Sequence, residues 1–392
     1  MASDATHTTS ARHVMWVARL VVLVAFLDLF MQFPTVSPFA EGLGASAAFA
    51  GIIVGAYSFT NMFGNLGAGF VIDRFGRRVP VLIGLGITSI AVATYAMAQS
   101  PDQLLISRAL HGLAAAMLAP GAFAIVGDST RSGSRAHSMG LTGATIAIAA
   151  LIGPPIAGIL KDSVGAESVF LLASGSLAVT YVVFWAATRN LQEGKPVDTV
   201  VSQDRSILTI NPMLGAYATA LAFTIGLGAL VAYMPIMLEA QGVSSARVGS
   251  TFGIFAIIAL IAMGSPISRL SDRKGRLGPL MGGLALIAVS LAVVGLLADY
   301  TGVALGMATF GLGYGLVFPT TAAIVSESSG ADRRGLAFGV FYAVYSLGVV
   351  IGSVGSGVIA ETLQDPIGLP FLISVGAVVV LGIFAWFWIR NS

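Results

Sequence analysis

Twelve long apolar stretches, bounded by charged or turn-forming residues, run through the chain from one end to the other. Their approximate limits are 14–39, 47–72, 79–99, 102–126, 137–160 and 168–188, then 211–239, 246–270, 278–298, 301–326, 335–361 and 368–389. Crossing a bilayer as a helix takes about 20 apolar residues, so each stretch suffices. The composition agrees: 56% of the 392 residues are hydrophobic and 10% charged, against roughly 25% charged in a soluble domain. Lipid must therefore be the solvent for most of this surface. The apolar runs are continuous rather than alternating, which excludes a membrane barrel.

Orientation is read from the basic residues. Of twenty Lys and Arg, Lys161 and Arg247 fall on one side of the bilayer and Arg108 falls inside a span; the other seventeen fall on the side of the termini. The positive-inside rule then places both termini in the cytoplasm, in the inner membrane of a cell. The net charge of +2 is thus spent on topology, and no nucleic-acid partner is expected. Residues 1–13 and 390–392 are expected to be cytoplasmic tails. No cysteine is present, so disulfides and thiolate metal sites are excluded, and the four histidines lack metal-ligand spacing. Neither a G-x-x-x-x-G-K-[ST] phosphate loop nor a G-x-S-x-G elbow occurs. No enzyme chemistry, metal or cofactor is expected.

The chain repeats itself at an offset of 199 residues. Asp73-Arg74-Phe75-Gly76-Arg77 returns as Asp272-Arg273-Lys274-Gly275-Arg276. Gly112, Pro120 and Asp128 return as Gly311, Pro319 and Glu327, and Gly140, Gly153 and Gly158 as Gly339, Gly352 and Gly357. The expected fold is therefore an all-α integral membrane protein, with two six-helix bundles (14–188 and 211–389) related by a pseudo-two-fold axis. A charged linker, 189–210, joins them. In transporters built from parallel repeats the substrate site lies near the midplane between the bundles.

Gly69-Phe70-Val71-Ile72-Asp73-Arg74-Phe75-Gly76-Arg77-Arg78 resembles the G-x-x-x-D-R-x-G-R-R/K signature of the major facilitator superfamily. Physically, Gly76 permits a tight turn, Asp73 can face a helix N-terminus, and Arg77 can reach Asp128. The second copy keeps Asp272, Arg273, Gly275, Arg276 and Glu327 but has Ser268 in place of the first glycine. Arg108-Ala109-Leu110-His111-Gly112 resembles the family's R-x-x-Q-G motif, with His111 in place of Gln. Gly140, Ala149, Gly153-Pro154 and Ala157-Gly158 resemble its antiporter signature, with alanine at two of the glycines. The resemblance is to the twelve-span drug:proton antiporter group. It implies a transporter, expected to act as a monomer, that exchanges protons for small lipophilic or amphipathic substrates by alternating access. A proton-linked transporter of a specific metabolite and a lipid flippase are alternatives within the same fold.

Several residues are candidates for that activity. Asp28 is the only carboxylate deep inside an expected span. Burial favours the neutral acid and a nearby cation the carboxylate, a balance that permits both uptake and release of a proton. Arg108 is either drawn to a buried partner or snorkels to a surface about 9 Å away; His111 either titrates or only hydrogen-bonds. Gln32 lies one turn beyond Asp28. Tyr57, Asn61 and Asn65, with Tyr233, Tyr314, Tyr342 and Tyr345, could line a substrate cavity.

Overall fold

A bilayer offers no partner for a bare N–H or carbonyl, so the apolar stretches must satisfy their backbone internally as helices. In the computed structural model twelve helical spans do so among the described residues: His13–Met31, Ala47–Ala68, Arg78–Tyr95, Pro101–Asp128, His137–Val164, Ala166–Thr188, Asn211–Ala240, Ser245–Gly264, Leu277–Leu297, Tyr300–Ser329, Leu336–Leu363 and Leu369–Arg390. They are numbered one to twelve below. The structure describes residues 2–130, 134–189, 209–265, 275–363 and 368–391; side chains are described there except at 2–12, 69, 70, 73, 135, 136 and 330–335.

Local chemistry sets the helix ends. Ser46, Ser100 and Ser244 sit just before spans two, four and eight, and each hydroxyl accepts the N–H three residues on, satisfying an orphan donor of the first turn. Span one stops at Met31, short of the expected 39. Pro34 has no N–H for the carbonyl of Phe30, which accepts from Phe33 at 3.2 Å instead. A short helix, Val36–Gly42, follows. Span four is interrupted between Ala115 and Leu118, where the ring of Pro120 denies Ala116 its helical partner. Pro319, its repeat counterpart, leaves span ten helical.

Span seven is the most enclosed of the twelve and span twelve the least. The repeat is visible in packing as well as in sequence. A Cβ on Gly112 would collide with the carbonyl of Tyr57, and one on Gly311 with that of Phe255, so span four lies against two as span ten lies against eight.

Spans two with eleven, and five with eight, form the seam between the halves. Successive spans are antiparallel, so each seam has a basic end, shared with the termini, and an opposite end. At the opposite end the backbones touch: Gly51 lies against Ser353, Gly357 against Ala47, Gly158 against Ser245 and Gly249 against Pro154. Toward the basic end Gly67, Gly140, Gly264 and Gly339 have no neighbour within 4 Å of a built Cβ position. The halves are closed at one end and parted at the other.

Candidate functional site

Span one carries Asp28, and Gln32 follows one turn later just past its end. Gln32 Nε2 donates to Asp28 Oδ1 at 2.7 Å, and Gln32 Oε1 accepts from Arg108 Nη1 of span four. Only this amide orientation gives the carboxylate a donor and the guanidinium an acceptor. Arg108 also donates from Nε to the carbonyl of Ile53 at 3.3 Å and from Nη2 to that of Val54 at 3.1 Å, both in span two. His111, one turn after Arg108, places Nε2 2.9 Å from Asp28 Oδ2, a close polar contact rather than an aligned hydrogen bond. Its Nδ1 meets the hydroxyl of Tyr95, at the end of span three, at 2.9 Å. The ring of Tyr57 packs edge-on against His111 and lies 5.1 Å from the Arg108 guanidinium carbon. Asp28, Gln32, Arg108 and His111 are each no more than 4% exposed.

This arrangement answers the alternatives left open by Arg108. It does not snorkel: it is buried and donates to three acceptors. Its link to Asp28 runs through Gln32. Gln32, a candidate for substrate contact, has both ends of its amide occupied in that link. Asn61 is similarly engaged, donating to the carbonyl of Gly112 at 2.9 Å and accepting from Asn65 at 2.6 Å; it ties span two to span four. Tyr95 had no signal in the sequence beyond its residue type, because nothing in linear spacing links it to His111.

The second half contributes aromatic surface. Tyr314 stacks on Phe318 with ring centres 5.4 Å apart and meets Phe255 and Phe223 edge-on. Tyr345 packs on Phe223, and Tyr342, 44% exposed, neighbours Tyr345. Tyr233 is not brought to this group; it packs on Phe371 of span twelve. Among the described residues, the buried charged side chains (Arg19, Asp28 and Arg108) all belong to the first half. Arg19 is held by Ser138 and Thr142 of span five, contacts the sequence gave no reason to expect.

At the basic end Gly76 and Gly275 have φ of +78° and +84°, left-handed values that a side chain would strain. Arg77 Nε pairs with Asp128 Oδ2 at 2.9 Å, and Arg276 with Glu327. Arg78 donates to Thr188, and the guanidinium of Arg74 lies over Phe75. Asp272 and Arg273 lie outside the described residues, as do the side-chain surroundings of Gly69 and Asp73. Asp128 is 62% exposed, and exposed pairs contribute about 0–1 kcal/mol. Arg77→Ala is therefore expected to leave thermal unfolding in detergent within about 1 kcal/mol of the parent; a larger loss would show that the pair is structural. Within the antiporter-like stretch, Gly153 packs on Leu27 and Phe30 of span one and Gly158 on span eight, while Gly140 meets nothing within 4 Å. The Gly153-Pro154 step thus sits at the seam, with the Pro154 carbonyl against Gly249.

The sequence profile of the Major Facilitator Superfamily matches residues 20–352 and 264–392. The chain belongs to that superfamily. Among relatives of this superfamily chain, Multidrug resistance protein 1 of Bacillus subtilis (strain 168) is 23% identical over 343 residues, covering 87% of this chain and 88% of its own. Quinolone resistance protein NorA of Staphylococcus aureus (strain MRSA252) is 22% identical over 375 residues, covering 92% and 93%. A bacterial homologue of the human lysosomal transporter Spinster, solved in an inward-facing and occupied conformation, superposes with a TM-score of 0.80 at 15% identity, covering 97% of both chains. A mutant of the peptide transporter POT gives the same TM-score and identity, covering 96% and 94%. These structures establish the major facilitator fold, and the protein is a multi-pass membrane transporter of that superfamily.

Proposed function

We propose that this transporter exports small lipophilic or amphipathic compounds in exchange for protons, with Asp28 and His111 as the proton-carrying pair. The observation that carries the reading is a carboxylate and an imidazole in contact inside the first half, buried and wired to a single arginine. A proton added there would be shared by the two contacting groups. With His111 neutral, Asp28 and Arg108 cancel; one proton leaves the site with a net positive charge. Charge of that sign opposes a cationic substrate in the same cleft, which is the competition that exchange requires. The facing wall around Tyr314, Phe255 and Phe318 supplies apolar contact for the substrate body.

The excess of Lys and Arg beside the termini supports an orientation with that end in the cytoplasm of the inner membrane. In that orientation the cleft is open to the inside, and the bundles 14–188 and 211–389 would rock to expose it outside. The direct test is uptake of tetraphenylphosphonium into inverted proteoliposomes with and without an imposed pH gradient. Gradient-stimulated uptake supports the reading; equal rates with and without the gradient overturn it.

Tyr95 supplies a sharper test. With the carboxylate facing Nε2, the neutral ring carries its proton there, and Nδ1 accepts from the Tyr95 hydroxyl. Tyr95→Phe removes a hydrogen bond that favours the neutral imidazole, a loss of about 0.5–1.5 kcal/mol. Gradient-driven transport is expected to slow roughly 2- to 10-fold. A parent rate would show that the Tyr95–His111 hydrogen bond plays no part in the cycle.

A further inference from the structure

We propose that Asp162 and Glu361 are the two halves of a latch that holds the transporter shut at the end opposite its termini. Asp162 lies in the last turn of span five. Its Oδ1 accepts the N–H of Ser245 at 2.9 Å and its Oδ2 that of Ala246 at 2.8 Å. These are the first donors of span eight, which no intrahelical carbonyl can satisfy and which form that helix's positive pole. Glu361 lies in the last turn of span eleven, and its Oε2 accepts the N–H of Ala48 at 3.0 Å, at the start of span two.

The two contacts are one device used twice. Residues 162 and 361 are separated by 199 positions, the offset of the internal repeat. Four residues before each acid stands a glycine, Gly158 or Gly357, whose bare Cα lets the carbonyl of Ser245 or Ala47 come close. The glycine permits the helices to touch, and the acid one turn on closes the contact electrostatically. Each carboxylate belongs to one half and the helix start it caps to the other, so all three hydrogen bonds must break before the halves can part there. Neither acid touches the Asp28 network. Lys161, next to Asp162, pairs with Glu239 of span seven at 2.6 Å and reinforces the first half of the latch.

The inference rests on the alternating-access reading, but its test needs neither substrate nor gradient. The chain has no cysteine, so Ser353→Cys introduces a single reporter. Ser353 is fully buried in the seam between spans two and eleven, and its carbonyl abuts Gly51, so a maleimide reaches it only when that seam opens. In nanodiscs, Asp162→Asn and Glu361→Gln are each expected to raise the labelling rate about 2- to 5-fold, and the double variant by the product. Because both acids are exposed, raising ionic strength should speed labelling more in the parent than in the double variant, which keeps only the Lys161–Glu239 pair. Parent-rate labelling in the double variant overturns the latch, whatever the transport assays show. If the double variant does not fold, either single variant at the parent rate does the same.

Discussion

Asparagine in place of Asp28 is expected to abolish gradient-driven transport while leaving exchange of substrate across the membrane intact. The substitution keeps the size of the carboxyl and its contact with Gln32 Nε2. It removes the ability to release a proton, so the variant resembles the proton-loaded site. Asp28 must pass through a neutral form if it carries the proton, so the fold has to tolerate neutrality there, and expression should be retained. Counterflow of labelled tetraphenylphosphonium, compared with uptake driven by an imposed gradient, separates the two activities. Gradient-driven uptake at the parent rate would remove Asp28 from the coupling mechanism.

Arg108→Ala has the largest expected effect on stability. The guanidinium donates to Gln32 and to the carbonyls of Ile53 and Val54, and it is 4% exposed. Removing it leaves buried Asp28 without its one permanent cation and with only His111 beside it, and breaking a buried charged pair from one side costs about 3–5 kcal/mol. Poor recovery or a large fall in thermal stability in detergent is the expected result. The effects of Arg108 and Asp28 should also be non-additive, because they act through one glutamine: Asp28→Asn in the Arg108→Ala background should restore part of the loss. Additive losses would show that the network is not a unit.

The spans were legible because lipid imposes a long apolar run on every crossing, and the repeat was legible because both copies keep the same glycines and charges. Two proline effects were not. Pro34 and Pro120 look alike in sequence to Pro319, yet only the first two interrupt their helices, since neighbours decide whether a lost hydrogen bond becomes a break. At the site, Asp28, Arg108 and His111 stood out because ionisable groups inside spans are costly. Gln32 could be placed on the face of Asp28 but not as the bridge to Arg108, a matter of side-chain reach across two helices. Tyr95 and the aromatic partners Phe223, Phe255 and Phe318 carried no signal, since such residues are ordinary in any apolar span. Asp162 and Glu361 keep the repeat offset, but their partners are backbone N–H groups, which leave no mark in a sequence.

The confinement of buried charge to the first half has an electrical consequence. A membrane potential does work only on charge that moves through its field, about 2.3 kcal/mol per elementary charge per 100 mV. Among the described residues the second half buries no charged side chain, so on the proposed mechanism the rocking of those residues carries no buried protein charge through the field. Apart from charge on the substrate, voltage would then act through the first half, with a leverage that depends on whether the Asp28–His111 pair holds a proton.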